Sequence, residues 1–157
     1  MDEAHRIRGR ATSTAHAAFA LRASGPRWCI SGTPLQNRVG ELSSIVRFLR
    51  FRPFAHYACS RKDCACLVLR CRSADVIAEG QGGCRRCGHG RALHRSVFAC
   101  SISNPILRYG FLGKGREAME RLRMEVLGHL LLRRTKVERA DDIGLPPLKI
   151  LVRRVEL

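Results

Sequence analysis

Acid, lysine and long apolar runs are all scarce in this chain, and each shortage narrows what it can be. Asp and Glu number 13 against 29 Lys and Arg in 157 residues, a formal net charge of +16. That balance suggests a polyanionic partner such as nucleic acid. Lysine is scarcer still, 4 residues beside 25 arginines, and the charge is spread along the chain. A general bias toward arginine would raise the charge equally without making a binding patch. No run approaches the roughly 18 apolar residues of a membrane span, so no membrane partner is expected. Met1 is followed by acids rather than a basic and apolar leader, so an intracellular protein is expected. The phosphate-loop pattern Gly-x₄-Gly-Lys-Ser/Thr is absent: Gly113-Lys114-Gly115 has no glycine five residues before it and no hydroxyl after Lys114. What is there, with 45% hydrophobic residues, suffices for one modest domain with a real core.

Of 8 cysteines, all but Cys29 fall between Cys59 and Cys100. In a reducing compartment such a cluster reads as metal ligation rather than disulfides. Cys84-x₂-Cys87 supplies two thiolates from one tight turn, with Gly88 freeing the backbone, and Cys64-x-Cys66 lies about twenty residues earlier. Together they have the spacing of one structural zinc site, which takes four soft or borderline ligands. Cys59, Cys71 and His89 compete for places, so the expected zinc takes four of Cys59, Cys64, Cys66, Cys84, Cys87 and His89, with Cys71 in reserve; His94 and Cys100 close the segment. Arg85, Arg86, Arg91 and Arg95 around it could meet DNA phosphate or simply face solvent.

At the amino end stands Asp2-Glu3-Ala4-His5, and about thirty residues on comes Trp28-Cys29-Ile30-Ser31-Gly32-Thr33-Pro34-Leu35-Gln36-Asn37. A short apolar run ending in small polar groups and leading to a helix is how a parallel strand delivers chemistry to its carboxyl edge. The two motifs at this spacing closely resemble motifs II and III of SWI/SNF-type helicase-superfamily-2 ATPases, the double-stranded-DNA translocases. The cysteine-rich insertion directly after the motif III helix, together with Leu131-Leu132-Arg133-Arg134-Thr135-Lys136 and the Leu145-Pro146-Pro147 turn, resembles the nucleotide-excision-repair branch whose members also carry a RING finger. In that branch two residues separate the first two cysteines; here Ser60 to Asp63 make four.

The resemblance implies that Asp2 holds Mg²⁺, usually through water, and that Glu3 orients and deprotonates the attacking water. It implies that His5, Ser31, Gly32 and Thr33 couple the nucleotide to bound DNA. The plain alternatives are a solvated acidic pair, an exposed imidazole and turn or cap hydrogen bonds. ATP and Mg²⁺ would be the cofactors beside zinc, double-stranded DNA or chromatin and repair-complex proteins the partners, and the nucleus the setting. Since phosphoryl transfer also needs a phosphate loop and a second lobe, this chain alone is expected to hydrolyse no ATP. The rival readings are a zinc-stabilised basic module that binds DNA or a repair partner without turnover, and a truncated, non-functional product with no stable fold.

The expected fold is α/β: residues 1–54 the later half of a RecA-like lobe, a parallel sheet with flanking helices; residues 55–104 the zinc insertion; residues 105–157 a helical appendage and a return strand. Helices are expected over residues 14–23, from Gly40 through Leu42, Ile45, Val46 and Leu49, and over about four turns from Gly115, where Met119, Leu122, Val126 and Leu130 recur. Residues 28–30 are expected as a buried strand with Cys29 in the core, residues 149–157 as a strand, and residues 55–104 show no strong period.

Overall fold

A computed structural model describes residues 1–33, 38–69, 83–135, 137–139, 142, 144, 149–153 and 155. After a 3₁₀ turn at Ala4–Ile7, helix α1 (Ser13–Ala20) begins where the Thr12 hydroxyl accepts the Ala15 amide at 3.2 Å, an N-cap. Helix α2 (Leu42–Leu49) turns Leu42, Ile45 and Val46 into one apolar cluster and Phe48 into another, so it is the wall between them. The smaller cluster is Ile7, Ala15, Ala18, Phe19 and Phe48. The buried Ser44 hydroxyl donates to the Arg8 carbonyl at 3.1 Å and ties the first turn to α2.

The larger cluster depends on a helical segment that no period had announced. It runs through a π-helical turn at Ala99–Ser103 into α3 (Asn104–Tyr109) and buries Phe98, Ile102 and Ile106. These lie four residues apart, and a wide i→i+5 turn stacks such residues in line. Pro105, which reads as a breaker, lies inside this continuous run just past the π-turn, where the ladder already departs from the i→i−4 pattern that a proline interrupts. Opposite run α4 (Lys114–Arg121), a second π-turn at Leu122–Leu127 and α5 (Gly128–Leu130), the four-turn helix expected from Gly115. They contribute Ala118, Leu122 and Val126; side chains so buried stabilise by about 1.5–3 kcal/mol each for the larger ones.

Two strand expectations need correction. Residues 28–30 are extended, but only Cys29 turns inward, packing on both clusters, while Trp28 and Ile30 are exposed. Alternation along an extended chain with one backbone neighbour gives one buried face, not two. Residues 149–153 and 155 form no strand and are exposed. The one sheet among the described residues is antiparallel, not parallel, and lies in the cysteine-rich segment: β1 (Tyr57–Cys59) is central between β2 (Leu67–Val68) and β3 (His94–Ser96).

Candidate functional site

Extended residues 28–30 run beside the amino terminus. The Ile30 amide donates to the Met1 carbonyl and the Ala4 amide to the Ile30 carbonyl, each at 2.9 Å. That interval holds one residue more than a parallel ladder allows, and Glu3 absorbs it in a left-handed conformation, φ 48° and ψ 47°. Asp2 Oδ1 accepts the Glu3 amide at 2.8 Å. The Glu3 carboxylate lies 3.0 Å from His5 Nδ1, which also faces the Ser31 hydroxyl at 3.3 Å. A carboxylate beside Nδ1 favours the proton on that nitrogen. Ser31 Oγ in turn accepts the Thr33 amide at 3.3 Å. Asp2, Glu3, His5, Ser31 and Thr33 thus form one chain of contacts across the two motifs. Gly32 lies within it, but a Cβ there would meet nothing within 4 Å, so space does not require glycine. Pro34 to Asn37 lie outside the described residues.

Carboxylate oxygens suit Mg²⁺, which keeps several of its waters and takes one or two acids. Asp2 and Glu3 fit that part. These residues do not by themselves fit ATP, because the sequence holds no phosphate-loop amides or lysine for its phosphates.

The second constellation is built by the sheet. Pairing of β1 with β3 sets Cys59 opposite His94, and the Cys59 amide donates to the Cys66 carbonyl at 3.2 Å. A knuckle then folds under them: the Cys87 and Gly88 amides donate to the Cys84 carbonyl at 3.2 and 2.7 Å, and the Cys84 amide to the His89 carbonyl at 2.8 Å. Gly88, at φ +72°, and the cross-bridge from Gly83 to Gly90 close the turn. Two groups of donor atoms result, Cys59, Cys64, Cys87 and His89, and Cys66, Cys84, Cys87 and His94; within each, every atom lies within 4.8 Å of the others. Donors of this kind, four to a group, fit zinc.

Sequence spacing had joined Cys64-x-Cys66 to Cys84-x₂-Cys87; the structure sends Cys64 and Cys66 to different groups and draws in Cys59 despite its longer spacer. His94, buried and absent from the expected six, was signalled by its place after the knuckle. Cys100 is exposed and in neither group, and Cys71 lies outside the described residues. Burial opposes ionisation of Cys84, but the Arg86 and Cys87 amides outweigh it and lower that thiol's pKa. The Cys66 amide lowers Cys64, whereas burial raises Cys66. Cys87 is pushed up to about 12 by burial and then by the neighbouring thiols of Cys66, Cys64 and Cys84. Burial likewise raises Cys29, which stands apart as a core thiol.

Between this lobe and α1 and α2 opens a cleft of about 630 Å³ lined by Arg22, Arg47, Arg50, Arg85 and Arg86. Arg47 is held with its guanidinium 5.0 Å from the Phe19 ring and 5.6 Å from that of Tyr57. None of the described helices is long and apolar enough to cross a membrane.

A family model described as the SNF2-related domain matches residues 1–157. The ATP-dependent helicase rhp16 of Schizosaccharomyces pombe is 44% identical over 154 residues, 98% of this chain and 17% of its own length. DNA repair protein RAD5 of Kluyveromyces lactis is 46% identical over 56 residues, covering 36% of this chain and 5% of that protein. The helicase-like transcription factor CHR28 of Arabidopsis thaliana is 47% identical over 57 residues, again 36% of this chain and 6% of its own. No solved structure matches.

Proposed function

The chain belongs to the SNF2-related domain family, and on that premise we propose that it is the stretch of a nuclear, DNA-dependent ATPase that joins ATP hydrolysis to movement on double-stranded DNA or chromatin, in nucleotide-excision repair or chromatin remodelling. In this reading residues 1–54 are the later half of a RecA-like lobe, Asp2 takes Mg²⁺ and Glu3 the attacking water. His5 and Ser31–Thr33 carry the state of the site toward DNA, and a zinc-stabilised lobe follows. The supporting observation is the contact chain from Glu3 through His5 to Ser31, since it joins an acid pair to a polar turn across 26 residues of sequence. Bound Mg²⁺ would neutralise phosphate charge; this chain's part is to hold the acids and aim them.

Replacing the matching stretch of rhp16 by this chain tests the reading. DNA-stimulated ATP hydrolysis by the chimera, lost in Asp2→Asn plus Glu3→Gln, is the expected result. A folded chimera without turnover would sink it. The 157-residue chain alone is expected to show no turnover.

The arginine-lined cleft favours a second reading, a basic module that binds DNA or a repair partner without chemistry. It calls for DNA binding that weakens steeply with salt and disappears on chelation.

A further inference from the structure

Seven donor side chains gather in the cysteine-rich lobe, and a single tetrahedral ion uses four. The two groups cannot be filled independently either, because both need Cys87. Seven is the number required by two tetrahedra that share one corner.

We propose that this lobe holds a pair of zinc ions bridged by the Cys87 thiolate, one completed by Cys59, Cys64 and His89, the other by Cys66, Cys84 and His94. It rests on the reading of the lobe as zinc-stabilised and goes beyond a single structural ion.

The distances carry the argument. Zn–S bonds of about 2.3 Å at the tetrahedral angle set sulfurs about 3.8 Å apart, and one such bond beside a Zn–N bond of about 2.05 Å sets S and N about 3.5 Å apart. The Cys66 and Cys84 sulfurs are 3.8 Å apart, too far for a disulfide. Cys59 Sγ lies 3.5 Å from His89 Nδ1, and Cys87 Sγ lies 3.5 Å from His94 Nε2. Edges from both groups therefore have the length a zinc tetrahedron demands.

His94 has the support expected of a ligand. Its Nδ1 is 3.3 Å from the Gly90 carbonyl, so Nδ1–H donates there and Nε2 keeps its lone pair toward Cys87. A metal-bound histidine is commonly held this way through its other nitrogen. Cys87 Sγ lies within 4.8 Å of the Cys64 sulfur of one group and of the Cys66 and Cys84 sulfurs of the other, the position of a bridge. Charge agrees: five thiolates and two neutral imidazoles around two dications leave one net negative charge, beside Arg85 and Arg86 of the same knuckle. Two bonds of about 2.3 Å to one sulfur keep the ions no more than about 4.6 Å apart.

Metal content of the purified full chain by native mass spectrometry, with cadmium NMR after exchange, tests the pair. Two ions per chain are expected, with the Cys87 β-protons coupled to both cadmium signals. His94→Ala and Cys64→Ala should each reduce the count from two to one, and Cys71→Ser should leave two. One ion per chain, unchanged in His94→Ala, overturns the pair but leaves the zinc reading standing. No metal overturns both. Two ions with Cys87 coupled to one alone, or a count that falls in Cys71→Ser, also overturns the bridge. ATPase activity of the chimera enters none of these readouts.

Discussion

Residues 1–33 and residues 57–96 both carry recognisable motifs, yet they hold their polar groups in opposite ways. In the first, Glu3 is 61% exposed and His5 29%, and the small apolar cluster of that region includes none of Asp2, Glu3, His5 and Ser31. In the second, Cys66, Cys84 and His94 are themselves buried, and the strands are two or three residues long. A sheet so short cannot stabilise itself through its own core. On the proposed reading the polar residues of the first region serve chemistry and those of the second cohesion, so removing them should have contrary effects.

Metal removal should separate them most. Structural zinc in small domains contributes about 10–16 kcal/mol of apparent binding free energy at neutral pH. A strong chelator should abolish amide protection at Tyr57–Cys59 and His94–Ser96 while leaving it at Leu42–Leu49 and Ile102, measured by hydrogen exchange. Equal loss in both places would dissolve the contrast.

Ile102→Ala comes next. Its side chain is fully buried in the cluster that includes Leu42, Ile45 and Val46 of α2 and Ala118, Leu122 and Val126 of residues 114–130, and truncation should cost about 2–5 kcal/mol in denaturant unfolding. Zinc content should be unchanged. Gly83→Ala should act inside the lobe alone: a Cβ there would overlap the Gly88 carbonyl, with backbone on both sides unable to yield. Overpacking of this kind costs about 1–3 kcal/mol, read as weaker zinc retention against a competing chelator. Free accommodation of alanine would mean that the knuckle is not closed as tightly as Gly83 and Gly90 place it.

These sites differ in how far the sequence announced them. The α2 face was legible because Leu42, Ile45, Val46 and Leu49 follow the helical period, and the helix from Gly115 likewise. Phe98, Ile102 and Ile106 were not, since a strict spacing of four suits a π-turn and Pro105 reads as a stop. For the cysteine-rich lobe the types of the gathered donors were legible and their partition into two groups was not. Sequence spacing pairs neighbours such as Cys64 and Cys66, whereas the partition follows from contacts distant in sequence, the pairing of β1 with β3 and the fold of the Cys84–His89 knuckle under it, which spacing does not record. Residues 28–30 read as a buried strand because their apolar content says nothing of how many strands flank them.

His56 gives a smaller effect that sharpens the boundary between lobe and core. Its Nδ1 is buried with no hydrogen-bond partner among the described residues, and burial, reinforced by Arg52 and Arg86 against an opposing contribution from the Pro53 backbone, lowers its pKa below the ordinary 6.5. The folded state thus resists protonation that the unfolded chain accepts. Its share of stability is complete above pH 6.5 and is lost as pH falls from there through the lowered folded value. His56→Leu should flatten the stability profile below neutrality relative to the parent, with both zinc-loaded so that acid release of metal is common to them. An unchanged slope would show that other groups set it.

The smallest expected change in stability belongs to the residues on which the proposed chemistry rests. Asp2→Asn plus Glu3→Gln keeps shape and removes two exposed charges, and surface substitutions of this kind usually stay within about 0.5 kcal/mol. The Glu3–His5 contact is too open to add much, because exposed ion pairs contribute about 0–1 kcal/mol. Unfolding midpoints of the parent and the double variant should therefore coincide, as should their zinc content. In the rhp16 chimera the same pair should remove ATP turnover, since a metal-holding acid and a water-orienting acid act on the transition state rather than on the fold. A midpoint lowered by several kcal/mol would instead make the acids part of the scaffold. They would then hold residues 1–4 against residues 28–30, and lost turnover would no longer identify them as catalytic.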